Sequence, residues 1–226
     1  MKFQEFKKIP RLNRDIIITE KIDGTNGVVA IFSFEDMVRE YSKLYPDDVI
    51  AGVVQVFIDT YCLYIHPENP HGEENEKLYV FAGSRNRWLG IGKQKDNYKF
   101  ACWVRENGLH LTLGLGKGRH YGEWWGNGIQ RGYDIGERQF SLFNVSNVKI
   151  ERYFLMSDLS SCHVVPTLYI GKFDTNKINQ VLEDLRKHGS WATRFMKPEG
   201  ICIYHTASGG YFKVTLDNDE KPKGQI

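Results

Sequence analysis

Two apolar, strand-like segments enclose a short polar turn near the start of the sequence, and this pattern constrains the fold more than any other. Residues 16–18 precede the turn and residues 28–32 follow it. The turn contains Gly24 and Gly27, which allow close backbone approach by a ligand, and Lys21 lies where the first strand meets it. The pattern predicts two strands with a lysine held on a rigid element. A hairpin with an ordinary surface lysine fits the same residues equally well.

Composition excludes several classes of protein. The 226 residues carry a net charge of +2, so any nucleic-acid surface must be a local basic face. The first residues lack the apolar core of a signal peptide, and the most apolar segment, 49–65, is interrupted by Gln55 and Asp59. The four cysteines are far apart, which predicts reduced thiols and not a disulfide framework or a zinc site. We expect a cytoplasmic protein without membrane association.

Hydrophobic periodicity predicts a mixed α+β protein forming one domain over residues 1–226. An apolar face at helical spacing predicts helices over 34–45, 98–106 and 174–188. Segments rich in β-branched and aromatic residues predict strands over 49–65, 78–82, 139–145 and 164–170. The glycine-rich segment 109–118 lacks the end of a P-loop and is interpreted as a turn. The polar segment 66–74 has no regular metal-ligand spacing and is interpreted as a solvated loop, although its histidines and carboxylates are potential metal ligands.

Chemistry-bearing residues recur at the ends of the predicted strands. Arg85 and Arg87 follow the strand over 78–82, and they should point to opposite faces if that strand continues. Glu123 stands between a glycine and two tryptophans, where it is either a rim charge or an acceptor for a ribose hydroxyl. Glu199 precedes one strand near the end of the chain, and Lys213 lies on its hairpin partner.

In this order the motifs resemble those of a known enzyme family. Lys21-x-Asp-Gly-x-Asn is followed by Ser84-Arg85, Gly122-Glu123, Leu142-Phe143-Asn144, Glu199-Gly200 and Lys213. The series resembles that of the phage RNA ligases that seal nicks in double-stranded RNA, within the covalent nucleotidyltransferases. At the last position of the lysine motif, DNA ligases commonly have arginine. This sequence has Asn26 there, which makes it more similar to an RNA ligase.

The resemblance implies an adenylation domain of the ATP-grasp-like ligase type, with antiparallel sheets around a nucleotide cleft and helices outside. It implies a role for each matching residue, and convergence of these residues on one cleft. Lys21 would be the adenylated nucleophile and Glu199 the ligand of Mg²⁺ or Mn²⁺. The remaining residues would bind ATP: the backbone around Glu20 and Ile22 at the adenine edge, Asn26 at phosphate or metal-bound water, Arg85 at ribose or 5′-phosphate, Glu123 at ribose, Phe143 on adenine and Lys213 at the α-phosphate.

The chemistry requires these residue types. A lysine attacks phosphorus only when it is deprotonated, and neighbouring cations such as Lys213 and Arg85 favour its neutral form. In-line attack on the α-phosphate needs positive charge at the equatorial oxygens and at the leaving pyrophosphate. Mg²⁺ is held by carboxylate, phosphate and water oxygens, which Glu199 and the nucleotide can provide.

The sequence departs from the family pattern in three places. Thr215 stands where a second lysine is usual, and Lys221 or Lys223 could substitute for it. The stretch 33–77 is longer than expected and could be a substrate-contact or dimer element. No appended OB-fold is expected after Lys213, so the core would work alone, with a helper protein, or as a homodimer.

The expected function is ATP-dependent joining of RNA 5′-phosphate and 3′-hydroxyl ends. Alternatives are a small DNA ligase, a GTP-using capping enzyme, or a non-catalytic RNA-binding module of the same fold. Substrate phosphates would be contacted by basic residues near the motif ends, for which the candidates are Arg87, Lys117, Arg119 and Arg131. We expect at least half of the surface cations to be merely solvated.

Overall fold

The structure of the protein is a computed structural model. It describes residues 5–6, 8–68, 70, 76–92, 94–143, 153 and 159–217. The chain divides into two compact units. Unit 1 combines Met1–Asp23 with Val165–Ile226, and unit 2 is Gly24–Val164. The expectation that residues 1–226 act as one domain without an appended module stays a prediction.

The described residues form eleven strands and five helices. The strands are β1 (Asp15–Lys21), β2 (Thr25–Ser33), β3 (Tyr64–His66), β4 (Leu78–Gly83), β5 (Trp88–Leu89), β6 (Gly118–Gly126), β7 (Arg138–Leu142), β8 (Cys162–Val164), β9 (Thr167–Lys172), β10 (Gly200–His205) and β11 (Gly210–Thr215). The helices are α1 (Phe34–Tyr41), α2 (Asp47–Tyr61), α3 (Phe100–Glu106), α4 (Gly108–Leu115) and α5 (Thr175–His188). None of the helices in the described part of the chain has the length and apolarity needed to span a bilayer.

Unit 1 is a four-stranded antiparallel sheet with one helix packed on it. The strand order is β11-β10-β1-β9. Alternate residues of β1, Ile16 and Ile18, are fully buried and pack with Leu182 and Leu185 of α5. Because strand side chains alternate between faces, Lys21 and the other odd-numbered residues of β1 lie on the opposite face.

Unit 2 contains a larger sheet with the order β3-β4-β2-β6-β7-β8, and β5 pairs with β4. All pairs are antiparallel except β7 with β8. One hydrophobic cluster joins α3 and α4 to the sheet, and a second joins α1 and α2 to it. The sheet is therefore covered by helices on both faces, as expected for an α+β layered fold.

Helix ends confirm two predictions in detail. The helix predicted over 34–45 is α1, which begins with a reciprocal capping box between Ser33 and Asp36. The helix predicted over 174–188 is α5, where the Asp174 side chain accepts a hydrogen bond from the Asn176 amide and Gly189 ends the helix. The helix predicted over 98–106 is also present, as α3.

The strand predicted over 49–65 is wrong, because most of that segment forms α2. Ile50, Val54 and Ile58 are its buried residues, at a spacing of four that is typical of one helix face. Pro46 occupies the N-cap position of α2. Packing of this face on the sheet outweighs the β propensity of the valines and aromatic residues.

The turn predicted over 109–118 is also wrong, since Gly108–Leu115 forms α4. Gly108 packs against Tyr64, where an added Cβ would lie 2.2 Å from the tyrosine Cγ. The glycine at the start of this helix therefore provides space for a neighbouring side chain. The helix ends at Gly116, whose φ is 68°.

A glycine in α2 provides a test of the helix assignment. Gly52 is exposed in the middle of the helix, and an added Cβ would have no atom within 4 Å. Gly52→Ala should raise the free energy of unfolding by about 0.5–1 kcal/mol, because glycine is the poorer helix former. Thermal unfolding should show a Tm increase of roughly 1–4 °C.

The matched control is Gly27→Ala, whose Cβ would lie 2.8 Å from the Phe100 ring. It should lower the Tm, since the core has no room for the added methyl group. A Tm that falls for Gly52→Ala would contradict the helical assignment.

Candidate active site

Strand pairing in unit 1 brings Lys21 to Glu199. The register of β1 with β10 places Lys21 opposite Gly200, the residue after Glu199. The Lys21 Nζ donates a hydrogen bond to Glu199 Oε2 and forms an ion pair with it. The Lys21 side chain is 19% exposed and that of Glu199 is 5% exposed. Two residues 178 positions apart in sequence therefore meet at the end of one strand pair.

This contact differs from the sequence expectation in one respect. Cations around Lys21 were expected to favour its neutral amine, whereas the structure places a carboxylate in direct contact with Nζ. An anion, and not one of the expected cations, is therefore the ion-pair partner of Lys21.

Lys213 and Thr215 lie on the edge strand β11. Lys213 is exposed and is in register with Cys202 of β10, while Thr215 pairs with Gly200. The Thr215 hydroxyl donates to the Asp217 carbonyl at 2.9 Å. Lys221 and Lys223, considered as substitutes for the missing second lysine, lie outside the described residues.

Glu20 is a buried carboxylate next to the lysine. Its residue exposure is 2%, and its Oε2 accepts hydrogen bonds from the Trp191 amide at 2.8 Å and the Ala192 amide at 3.3 Å. Burial raises the pKa of Glu20, against the lowering effect of bonds from Ser190 and these two amides. Within the part of the chain that the structure describes, no group donates to Glu20 Oε1. Ile22, on the other side of Lys21, is 4% exposed.

Unit 2 assembles a second polar cluster from Asn26, Glu123, Arg85 and Gly24. Asn26 of β2 is directly opposite Glu123 of β6, and its Nδ2 donates to Glu123 Oε2 at 3.2 Å. The Gly24 amide donates to Glu123 Oε1 at 3.1 Å. Arg85 Nε donates to Asn26 Oδ1 at 3.1 Å. Each side chain is thus oriented by another member of the cluster.

Tight packing fixes the backbone under this cluster. A Cβ on Gly24 would lie 2.5 Å from the Trp124 carbonyl oxygen, and one on Gly122 would lie 2.5 Å from the Ser141 carbonyl oxygen. Real Cβ atoms are not found at such distances, so both positions require glycine. The strands can therefore approach closely enough for the Gly24 amide to reach Glu123.

An aromatic pair continues the same face of the unit 2 sheet. The Phe143 amide donates to the Tyr121 carbonyl at 2.9 Å, so these residues lie opposite each other beyond the end of β7. Phe143 is 44% exposed and Tyr121 is 54% exposed. Tyr121 and Glu123 are two residues apart on β6 and share a face. An exposed ring beside a polar cluster is a suitable surface for stacking on a base.

The proposed RNA-contact residues differ in their surroundings. Strand β4 ends before Arg85, so Arg85 and Arg87 lie in a tight turn and not on a continued strand. Arg87 donates hydrogen bonds to the carbonyls of Lys95 and Asp96. Lys117 contacts Asp36 at 3.1 Å and Glu76 at 2.8 Å, and its pKa is raised, chiefly by Glu76.

Arg119 contacts Glu40 at 2.6 Å and lies over the Phe32 ring. Arg131 is half-buried. Lys117 and Arg119 therefore link α1 to the start of β6, and RNA contact by any of these residues stays a prediction. The stretch 33–77 is longer than the family pattern predicts. Its described residues include α1 and α2, the helices that cover one face of the unit 2 sheet.

Among the described residues, no group of three histidine, cysteine, aspartate or glutamate side chains is placed to hold a metal ion. Glu199 is a single carboxylate, which matches the usual coordination of Mg²⁺ by one or two carboxylates together with substrate phosphates and water. The polar loop 66–74, considered as a metal site from sequence, lies partly outside the described residues.

Sequence reasoning missed three contributors to these clusters. The Gly24 amide binds Glu123, and the Trp191 and Ala192 amides bind Glu20. All three are backbone groups, which carry no signature of residue type. Of these three residues, only Gly24 could have been singled out from sequence, because of its position within the lysine motif.

The sequence as a whole places the chain among known proteins. The RNA ligase family matches residues 14–215. The chain belongs to the RNA ligase family. The match covers every described motif residue from Lys21 to Lys213, and the phage-type subfamily suggested by the motif series stays a prediction. No curated protein sequence matches the chain.

Solved RNA ligase structures share the fold. A variant of the Naegleria gruberi RNA ligase with ATP and manganese is 14% identical, with a TM-score of 0.51, covering 91% of this chain and 51% of that one. A second variant, with AMP and manganese, is 15% identical, with a TM-score of 0.52, covering 95% and 53%. The RNA ligase chain described here thus spans about half of the length of these structures. The similarity confirms the α+β fold class.

The buried carboxylate predicts an unusual dependence of stability on pH. The pKa of Glu20 is raised in the folded protein, so its ionisation opposes folding as pH rises above the ordinary glutamate range. Glu20→Gln should therefore raise the Tm at pH 7, and this gain should shrink as pH falls towards 4.5. Thermal unfolding across pH 4–8 measures it.

Glu183→Gln is the matched control, because Glu183 is 69% exposed on α5. It should leave the Tm nearly unchanged at each pH. A Glu20→Gln variant less stable at pH 7 than at pH 4.5, relative to wild type, would show that the ionised carboxylate stabilises the fold.

Proposed function

We propose that the chain is the adenylation core of an ATP-dependent RNA ligase, with Lys21 as the nucleophile. The single observation that carries the proposal is the contact between Lys21 and Glu199 in a chain of the RNA ligase family. A lysine and a carboxylate at the end of paired strands supply the nucleophile and a ligand for a cation. The Naegleria gruberi ligase structures with ATP or AMP and manganese support ATP and a divalent cation as cofactors.

The first step transfers AMP to Lys21. The neutral amine attacks the α-phosphorus of ATP, an N–P bond forms and the P–O bond to pyrophosphate breaks. Lys21 Nζ loses two protons in passing from ammonium to phosphoramidate. Glu199 must therefore give up its contact with Nζ, so that the lone pair of the amine can reach the α-phosphorus. Glu199 would hold a divalent cation together with oxygens of the nucleotide and water, and the cation would supply positive charge for the phosphate oxygens.

Glu20 and Lys213 would complete the contribution of unit 1. The Glu20 oxygen that lacks a donor within the described residues suits an amino group, such as the one at position 6 of adenine, and guanine carries an oxygen at that position. Lys213 is exposed two residues before Thr215 and provides a positive charge for the α-phosphate.

The polar cluster of unit 2 would bind the sugar. Glu123 is held by the Gly24 amide and Asn26, and a carboxylate oriented in this way is suited to accept hydrogen bonds from ribose hydroxyl groups. Arg85, fixed by Asn26, would contact ribose or a 5′-phosphate. Phe143 would stack on adenine.

The later steps use the same groups. A 5′-phosphate oxygen of RNA attacks the phosphorus of the lysine-bound AMP, which releases Lys21 and forms a 5′–5′ pyrophosphate. A 3′-hydroxyl oxygen then attacks the RNA phosphate, the new phosphodiester bond forms, and AMP leaves. The RNA partner therefore needs a 5′-phosphate and a 3′-hydroxyl. The reduced cysteines expected from sequence support a cytoplasmic location.

Lys21→Arg should abolish labelling of the protein by ATP, as completely as Lys21→Ala. The guanidinium keeps the charge but does not deprotonate near neutral pH, so it is not a nucleophile. The measurement is label that stays on the protein in denaturing gel electrophoresis after incubation with α-labelled ATP and magnesium or manganese, with α-labelled GTP in parallel.

Lys172→Arg is the matched control, because Lys172 lies on β9 of the same sheet and pairs with Asp15. It should label normally. Label on Lys21→Arg would require another nucleophile, and label from GTP in preference to ATP would favour a capping enzyme.

Glu123→Gln should raise the KM for ATP in self-adenylation by roughly 10- to 100-fold, which is the effect expected from weakening hydrogen bonds to a charged group. Glu137→Gln is a suitable control, since Glu137 is exposed on unit 2. Rates of label incorporation across an ATP series give the KM. An unchanged KM for Glu123→Gln would show that the unit 2 cluster has only a structural role.

A further inference from the structure

The face of the unit 1 sheet that carries Lys21 also carries a row of isoleucine and tyrosine residues. One face packs against α5 through the even-numbered residues of β1. The opposite face is ordered in rows by the strand register. Lys21, Gly200 and Thr215 form one row, and Thr19, Cys202 and Lys213 form the next. The third row crosses all four strands and consists of Ile170, Ile17, Tyr204 and Tyr211.

This third row, which we term the tyrosine row, is largely uncovered. Tyr211 is 77% exposed and Ile170 is 67% exposed, while Ile17 and Tyr204 are half-buried. The Tyr204 and Tyr211 rings lie side by side, with centroids 4.8 Å apart and planes at 39°. Two adjacent rings on a rigid sheet form a ready surface for stacking.

The charges around the tyrosine row favour an anionic ligand. The four strands contain only two carboxylates, Asp15 and Glu20. Asp15 pairs with Lys172 at 2.8 Å, and Glu20 is buried on the other face. Lys213 is exposed on the same face as Tyr211 and two residues further along β11. A polyanion bound to this face would contact aromatic rings and a lysine. It would not be repelled by an unpaired carboxylate of these strands, because Asp15 is paired and Glu20 is buried on the other face.

The spacing of the rows matches a short nucleic-acid strand. Ile17 and Lys21 are four residues apart on β1, which corresponds to about 13 Å at the usual rise of a strand. Stacked nucleotides are spaced by about 3.4 Å, so this length corresponds to roughly four of them. A strand whose end lies at Lys21 therefore reaches the tyrosine row within a few nucleotides.

We propose that the tyrosine row binds an unpaired segment of the RNA substrate, a few nucleotides from the end being joined, with Tyr211 and Tyr204 stacking on its bases. The inference rests on the proposed function, which supplies the RNA and the position of its end. It adds the form of the substrate: single-stranded beside the reactive end. Bases offer their faces to aromatic rings only when they are unpaired, and aromatic side chains on a sheet are a general means of binding such bases.

The test compares two neighbouring aromatic residues of one strand. Tyr211 and Phe212 are both exposed on β11, at 77% and 59%, but they point to opposite faces of the sheet. Tyr211→Ala removes a ring from the tyrosine row, and Phe212→Ala is the matched control. Tyr211→Phe keeps the ring and should preserve binding. Fluorescence anisotropy gives the Kd for 5′-phosphorylated oligoribonucleotides of two to eight residues. Each RNA is measured once as a single strand and once annealed to its complement.

Tyr211→Ala should weaken binding of the unpaired eight-residue RNA by roughly 5- to 150-fold, the range found when one stacking ring is removed. The dinucleotide and the annealed RNA should be affected much less, and Phe212→Ala should bind as wild type does. Self-adenylation of Tyr211→Ala should remain within about twofold of wild type, because no residue of the row is among those proposed to bind ATP.

Equal Kd values for Tyr211→Ala and Phe212→Ala would overturn the inference, as would an equal loss for the annealed RNA. The second result would indicate contact with the backbone of a duplex. A wild-type protein that takes no label from ATP contradicts the ligase proposal, whereas the tyrosine row is judged by the binding comparison alone.

Discussion

The hydrogen-bonded pairing of β1 with β10 is the constraint on which the rest of unit 1 depends. It sets Lys21 opposite Gly200 and thereby brings Glu199 to the lysine amine. A slip of one residue would turn every side chain of β1 to the other face, exposing Ile16 and Ile18 and burying Lys21. The apolar packing on α5 thus secures the register, and the register positions Lys21 beside Glu199. Core packing and the Lys21–Glu199 contact are linked through one strand.

The prediction of the family from sequence is confirmed, because the ordered motifs lie within the residues that the RNA ligase family matches. The structure brings Lys21 and Glu199 into contact, and their roles in adenylation and metal binding stay predictions. Segment 49–65 was assigned wrongly because its many apolar residues fit both a buried strand and a helix. The backbone donors to Glu20 and Glu123 could not be predicted, since any residue type supplies an amide.

Glu20 shows how a site of this kind opposes its own fold. Its side chain is buried, it accepts two backbone amides, and one oxygen has no donor among the described residues. Burial of a carboxylate destabilises the protein unless its hydrogen bonds are complete. Glu20 is therefore a position at which the fold keeps an incompletely bonded carboxylate in its interior.

Gly200 illustrates a different kind of constraint. Its φ is 155°, and a Cβ there would lie 2.2 Å from the Val214 carbonyl oxygen. No other residue fits between β1 and β11, whatever the reaction requires. Among relatives that keep this strand pairing, the glycine beside Glu199 should be as invariant as the carboxylate itself. Its invariance would record sheet geometry, so a ranking of positions by conservation alone would count a spacer as part of the catalytic machinery.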